Sequence, residues 1–202
     1  MKENTRNGKA IYYVIKDNPS IKHGTYVIKA WSGNELLLEG EYNQGKRVGK
    51  WTEKYYGQSY DGTLKNTGYY ENDQKVGLWI YFNHLGDTTQ IYDHTNNDLI
   101  YTETPNQSQF VGGFSALSYE LNQAIPIPTE LNTPGTNRFN IDTKVEILLN
   151  PKSKIDSISF SDPIGYGTEE IIENYLREES KQWVYLDQNK KIIVPIKMTM
   201  NF

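Results

Sequence analysis

Apolar and polar residues alternate with a period of two through most of the first hundred positions, the mark of half-buried strands. Tyr26 and Ile28 fall on one face, as do Leu36, Leu38 and Tyr42, then Trp51 and Tyr55, then Trp79 and Tyr81. Turn chemistry separates these runs. Asn43-Gln44-Gly45-Lys46, Asn72-Asp73-Gln74-Lys75, Ser32-Gly33-Asn34 and Tyr60-Asp61-Gly62 carry residues that tolerate left-handed backbone angles. No helix is expected in this half.

The same half repeats itself. Lys22-His23-Gly24-Thr25-Tyr26, Arg47-Val48-Gly49-Lys50-Trp51 and Lys75-Val76-Gly77-Leu78-Trp79 each place glycine two residues before an aromatic. A companion half-repeat reads Gly40-Glu41-Tyr42-Asn43 and then Gly68-Tyr69-Tyr70-Glu71-Asn72. One such unit cannot bury its apolar face alone, so the units are expected to associate side by side as a meander of hairpins. The stretches Asn43 to Trp51 and Asn72 to Trp79 resemble MORN-type repeats of the bacterial YwqK-like group. That resemblance covers roughly residues 20–101, implies a repeat-built sheet, and points to scaffolding rather than catalysis.

Thr102 to Gln109 is polar, holds Pro105, and reads as a linker at 102–109 between units 1–101 and 110–202. Beyond it the period changes. Phe114 to Ala124 places Leu117, Leu121 and Ala124 at helical spacing and stops at Pro126 and Pro128. Val145, Ile147 and Leu149 alternate as a strand, and Ile155 to Phe160 reads as a second. Thr168 is expected to cap a helix whose first turn carries Glu169 and Glu170 and whose stripe is Ile171, Ile172, Tyr175 and Leu176. Ile192 to Phe202 alternates again as the last strand. The fold class expected is α+β: an antiparallel meander of repeat hairpins, then a small unit of two helices and three strands.

That order, with Gly112-Gly113, Pro128, the strands around Val145 and Ile158, the helix from Thr168, Trp183 and a closing Phe202, resembles the TonB C-terminal domain over residues 110–202. Asn140 and Ser153 stand where the family has glycine, and Val184 and Tyr185 where proline commonly follows the tryptophan. The resemblance implies binding of an extended partner segment by strand addition at the last strand, whose residues are Ile192, Val194, Ile196, Met198, Met200 and Phe202.

Composition narrows the chemistry. The chain has 202 residues and no cysteine, which rules out disulfides and thiolate sites. Residues 1–101 carry 12 basic and 12 acidic side chains, and residues 102–202 carry 9 and 13; neither half has the basic surplus of a nucleic-acid or anionic-membrane binder. No run approaches the roughly 18 apolar residues of a spanning helix. Met1 to Asn7 is polar, so the expectation is either a cytosolic protein or one whose export segment has been removed.

Catalytic signals are weak. Gly165-Tyr166-Gly167 sits between strand and helix, but Glu169 and Glu170 would repel a phosphate there, so it reads as a loop and cap. His84 and His94, with Asp87, Asp93 and Asp98 nearby, have no spacing that demands a metal. Glu169, Glu170, Glu173, Glu178 and Glu179 read as a solvated helix face. No nucleophile elbow appears, and residues 102–202 hold no histidine. No enzyme activity, metal or cofactor is expected.

Trp51, Tyr55, Trp79 and Tyr81 read first as packing and second as a stacking surface for sugar or peptide; Trp183 reads as a core anchor. The leading expectation is a non-catalytic protein-binding module of the cell envelope, accessory to TonB-dependent outer-membrane transport, with a receptor or other envelope protein as partner. Its location would be the periplasm, or the outer membrane as a lipoprotein. The rivals are a cytosolic or surface scaffold recognising its partner through the repeat sheet, and an antitoxin-like protein.

Overall fold

The computed structural model describes residues 1–33, 35–57, 62–125, 138–178, 181–187 and 190–201, the backbone alone for 138, 139 and 198–201. The chain is mostly antiparallel β-sheet with two helices among these residues. It divides into two compact units, Met1–Glu103 and Thr104–Phe202. None of the described helices is long and apolar enough to cross a membrane.

The first unit is one nine-stranded sheet in which sequence order equals spatial order. Its strands are β1 (Lys2–Asn4), β2 (Gly8–Ile15), β3 (Asn18–Ala30), β4 (Leu36–Asn43), β5 (Lys46–Lys54), β6 (Leu64–Glu71), β7 (Gln74–Phe82), β8 (Thr88–Asp93) and β9 (Asp98–Thr102). The two-residue turns Gln44-Gly45 and Asn72-Asp73 take positive φ at both positions, as tight hairpins between right-twisted strands require. The turn positions Asn34, Tyr60 and Asp61 lie outside the described residues.

The repeated glycines have one structural job. Register slips between Tyr12 and Val14, Glu39 and Glu41, and Thr67 and Tyr69, each opposite a stretch that contains Gly24, Gly49 or Gly77. All three glycines have positive φ, between +60° and +83°. Each repeat is therefore a hairpin carrying a bulge whose extra residues demand a left-handed glycine. The bulge swings the aromatic two residues later over the partner strand. Trp51 lies against Gly40 and Trp79 against Gly68, where a Cβ would overlap the indole. The rings then continue edge to face: Tyr42–Trp51 at 5.3 Å, Trp51–Tyr70 at 5.8 Å and Tyr70–Trp79 at 5.0 Å. A further register shift, between Ile28 and Lys29, leaves Leu37 as an extra residue opposite β3 and buries it, so β4 departs from the alternation of Leu36, Leu38 and Tyr42.

The second unit follows the order β10 (Gln109–Phe110), α1 (Gly113–Ala124), β11 (Arg138–Leu149), β12 (Ile155–Phe160), α2 (Thr168–Leu176), β13 (Trp183–Val184) and β14 (Lys191–Asn201). β12, β11 and β14 make a three-stranded antiparallel sheet in that spatial order. Its inner face (Val145, Ile147, Val194, Ile196) packs on Leu117 and Leu121 of α1 and Ile172 and Leu176 of α2. β10 and β13 form a separate pair, with Phe110 opposite Trp183 and the two rings 5.3 Å apart; periodicity does not reach strands of two residues. Pro126, Pro128, Glu179 and Phe202 lie outside the described residues.

Helix α2 corrects one expectation. Thr168 is its first residue, not its cap: the N-cap is Gly167 at φ +71°, and the Thr168 side chain is buried. Glu169 does the satisfying instead, its Oε1 accepting the N–H groups of Ile164 at 2.5 Å and Gly165 at 3.0 Å. Those backbone bonds, Gly165 first, hold the Glu169 carboxyl below its ordinary range. The N–H groups of Ile164 and Gly165, which a phosphate would need, already serve a side chain.

Candidate functional site

The outer edge of β14 is built by its register with β11. Val194 stands opposite Val145, Pro195 opposite Lys144, and Ile196 opposite Thr143. Leu149 donates its N–H to the Lys190 carbonyl at 3.0 Å, whereas Lys144 uses its backbone toward Ser161: its N–H donates to Ser161 Oγ at 3.0 Å, and its C=O accepts the Ser161 N–H at 2.9 Å. Antiparallel pairing alternates direction residue by residue. The backbone groups of Ile192, Val194 and Ile196 therefore point at β11, and those of Lys191, Ile193, Pro195 and Lys197 point away from it. Among the described residues, no strand pairs on that side.

Side chains divide the same way. Ile192, Val194 and Ile196 are 5%, 0% and 2% exposed and belong to the core; they anchor the strand and are not themselves a contact surface. Ile193 is 45% exposed. Lys191 reaches Glu146 at 2.7 Å and Lys197 reaches Asp142 at 3.4 Å across the outer face. Met198 and Met200 continue the β11 pairing as backbone, opposite Ile141 and Phe139. Sequence reasoning passed over Pro195, although a proline in a strand is the signal for an edge position. It removes one outward N–H from the middle of the edge, and lysines flank it; both are devices that discourage indiscriminate strand pairing.

The other sequence-predicted set falls differently. Trp51, Tyr55, Trp79 and Tyr81 are 4%, 0%, 1% and 2% exposed, so they are the packed core of the repeat sheet and not an open stacking surface. The bulges that lay the indoles on glycine also bury them. The exposed aromatics of this unit include Tyr13, Trp31, Tyr69 and Tyr101. On the sheet face opposite the aromatic row, Ile80 stands across from Ile91, and Ile91 from Tyr101; Tyr69 pairs with Val76, beside exposed Leu78.

Each repeat also lays a cation over the aromatic row, from the residue two before its bulge glycine. Lys22 lies 5.0–5.6 Å from the rings of Tyr12, Tyr26 and Tyr42. Arg47 stacks on Tyr70 at 4.1 Å and donates to the Tyr70 hydroxyl, and Lys75 lies 4.3 Å from Trp79. The motif legible as cation-x-Gly-x-aromatic is one packing unit.

The polar groups singled out from sequence take structural roles. His94 sits on the aromatic row with Nε2 2.8 Å from the Tyr81 hydroxyl, His84 is exposed in the turn between β7 and β8, and His23 Nδ1 accepts the Gln44 N–H. Among the described residues no three His, Cys, Asp or Glu side chains are grouped so as to hold a metal ion. Glu173 pairs with Arg177 at 2.9 Å, and Glu178 lies 3.9 Å from Lys181. Comparison with family models, with curated proteins and with solved structures finds no match to this chain.

Proposed function

We propose that the chain is a non-catalytic protein-binding module whose C-terminal unit takes up an extended segment of a partner by strand addition to β14. The observation that carries this reading is the single partner of β14: eleven residues pair with β11 along one side, and the other side faces no described strand. Strand addition draws affinity from the backbone and selectivity from alternate side chains. On this edge the donors include the N–H groups of Lys191, Ile193 and Lys197, interrupted at Pro195, so a partner pairs on either side of a gap. The segment order of residues 110–202 and its resemblance to the TonB C-terminal domain favour an envelope protein as partner, such as an outer-membrane receptor. The compartment that goes with this reading is the periplasm, or the outer membrane through a lipid anchor.

The second reading uses the repeat sheet, with its MORN-like pattern, as a scaffold surface in the cytosol or at the cell surface. The exposed Tyr69, Leu78 and Tyr101 on one face favour it, because contiguous apolar surface marks interaction sites. A photo-crosslinking residue placed at Ile193 or at Tyr69, in the full chain in its native host, separates the two. Adducts from position 193 are the expected result. Adducts from position 69 alone support the scaffold, and none at either position removes both.

A further inference from the structure

On the aromatic face of the repeat sheet, polar residues interrupt what would otherwise be an apolar layer. Cross-strand register lines up Leu38, Glu53, Asn66, Tyr81 and Gln90, one from each of five adjacent strands. Asn66 and Gln90 are 8% and 0% exposed, and Lys65 beside them is 3% exposed. Burying an ammonium group is costly unless it is paired, and an apolar pair of similar size would hold two strands at least as well. The Lys65 Nζ lies 3.1 Å from Glu53 Oε1, and Asn66 Nδ2 donates to Glu53 Oε2 at 2.9 Å. Two buried side chains thus fix one carboxylate whose own side chain remains 36% exposed.

Glu53 lines a cavity of about 220 Å³ together with Asn66, Leu38, Arg47, Tyr42 and Tyr70. We propose that this cavity binds one neutral sugar ring. Its volume is below the roughly 300–1,000 Å³ of sites for drug-sized ligands, so the occupant is a single ring with its substituents. Charge excludes simple ions as the favoured guest. Lys65 pairs with Glu53, Asp73 pairs with Arg47 at 3.1 Å, Lys22 already lies over Tyr42 and Arg47 over Tyr70. What remains is the accessible part of the half-buried Tyr42 and Tyr70 rings beside an oriented, charge-compensated carboxylate and a planar amide, Trp51 itself being packed core. A pyranose matches both: its C–H groups contact the accessible parts of Tyr42 and Tyr70, and neighbouring hydroxyls donate to the carboxylate's unused lone pairs. The cavity lies in the unit that strand addition at β14 does not use, so the two readings stand or fall separately.

The test is saturation-transfer NMR and tryptophan fluorescence on the full chain. The probes are the methyl pyranosides of glucose, galactose, mannose and N-acetylglucosamine, with tetramethylammonium and acetate as ionic probes. A saturable signal is expected from at least one glycoside, with neither ion competing. Glu53→Gln weakens it about tenfold or more, the loss that goes with a hydrogen bond to a charged group. Because Glu53→Gln also removes the partner of buried Lys65, a second variant is read beside it: Leu38→Trp fills the cavity and abolishes binding while the melting temperature stays near that of the parent. The proposal is overturned if no glycoside saturates, if tetramethylammonium binds in their place, or if glycoside binding survives Leu38→Trp.

Discussion

Trp51 lies flat on Gly40, with its indole where a Cβ at that position would be. Gly68 stands in the same relation to Trp79 one hairpin later. In both places the glycine is needed for the space above it, because neither takes a positive φ. Gly49 is the opposite case: φ is +67° and nothing lies within 4 Å of a built Cβ. Gly40→Ala is expected to lower stability by about 1–3 kcal/mol, the range for overpacking, through displacement of a ring that touches both neighbours. Gly49→Ala is expected to cost about 1 kcal/mol from backbone strain alone. Near-UV circular dichroism distinguishes them: the tryptophan signal changes for Gly40→Ala and persists for Gly49→Ala. Equal, small effects without spectral change would show that the indole does not depend on the glycine.

The pH profile of the repeat sheet follows from its rings. Burial raises the phenol pKa of Tyr26, Tyr42 and Tyr70 above the ordinary value of 10.0. A raised folded-state pKa means the unfolded chain loses its proton first, so this contribution to stability is complete below pH 10 and is lost as pH climbs toward the folded values. On the acid side, the Arg47 backbone N–H and then its guanidinium hold the Asp73 carboxyl below 3.8. That contribution is present above pH 3.8 and disappears as pH falls through the lowered value. Denaturant titrations should give a plateau between these limits. Asp73→Asn should trim the acid limb by less than about 1 kcal/mol, as an exposed ion pair does. Tyrosinate absorbance near pH 10 in a still-folded sheet that Tyr26→Phe, Tyr42→Phe or Tyr70→Phe removes would contradict the first half.

Pro195 is expected to keep the β14 edge from pairing with copies of itself. Pro195→Thr restores the missing N–H in a strand whose outward side chains include exposed Ile193, and lysines alone then guard the edge. Sedimentation velocity should find the variant shifting toward dimers and larger species as concentration rises, with the parent unchanged. A strictly monomeric Pro195→Thr would show that the proline has no such role.

Much of this architecture is legible in the residues. Alternation exposed the strands on both sides of Gly40, and the spacing of Leu117 and Leu121, or of Ile172 and Leu176, marked the helices. What stayed hidden depends on register. In sequence the repeat glycines could equally mark turns, bulges or seats for an aromatic ring; only register shows that Gly49 and Gly77 are the bulges and Gly40 and Gly68 the seats, and so that Trp51 and Trp79 are buried while Tyr69 faces outward. The job of Glu169 was equally invisible, because its partners are backbone N–H groups, which no side-chain pattern marks. Pro195 was visible but carried no weight until the Lys144 pairing showed which way its nitrogen faces.

If the outer edge of β14 receives a partner strand, its outward amides become protected, and residue-resolved hydrogen exchange reads them one by one. Peptides selected from a random displayed library against the full chain serve as probes. Exchange at Ile193 and Lys197 should slow once a selected peptide is added, with no change at Ile192 and Val194, whose N–H groups already face β11. New protection confined to the repeat sheet, or failure of the library to yield any peptide that protects Ile193 or Lys197, would contradict it.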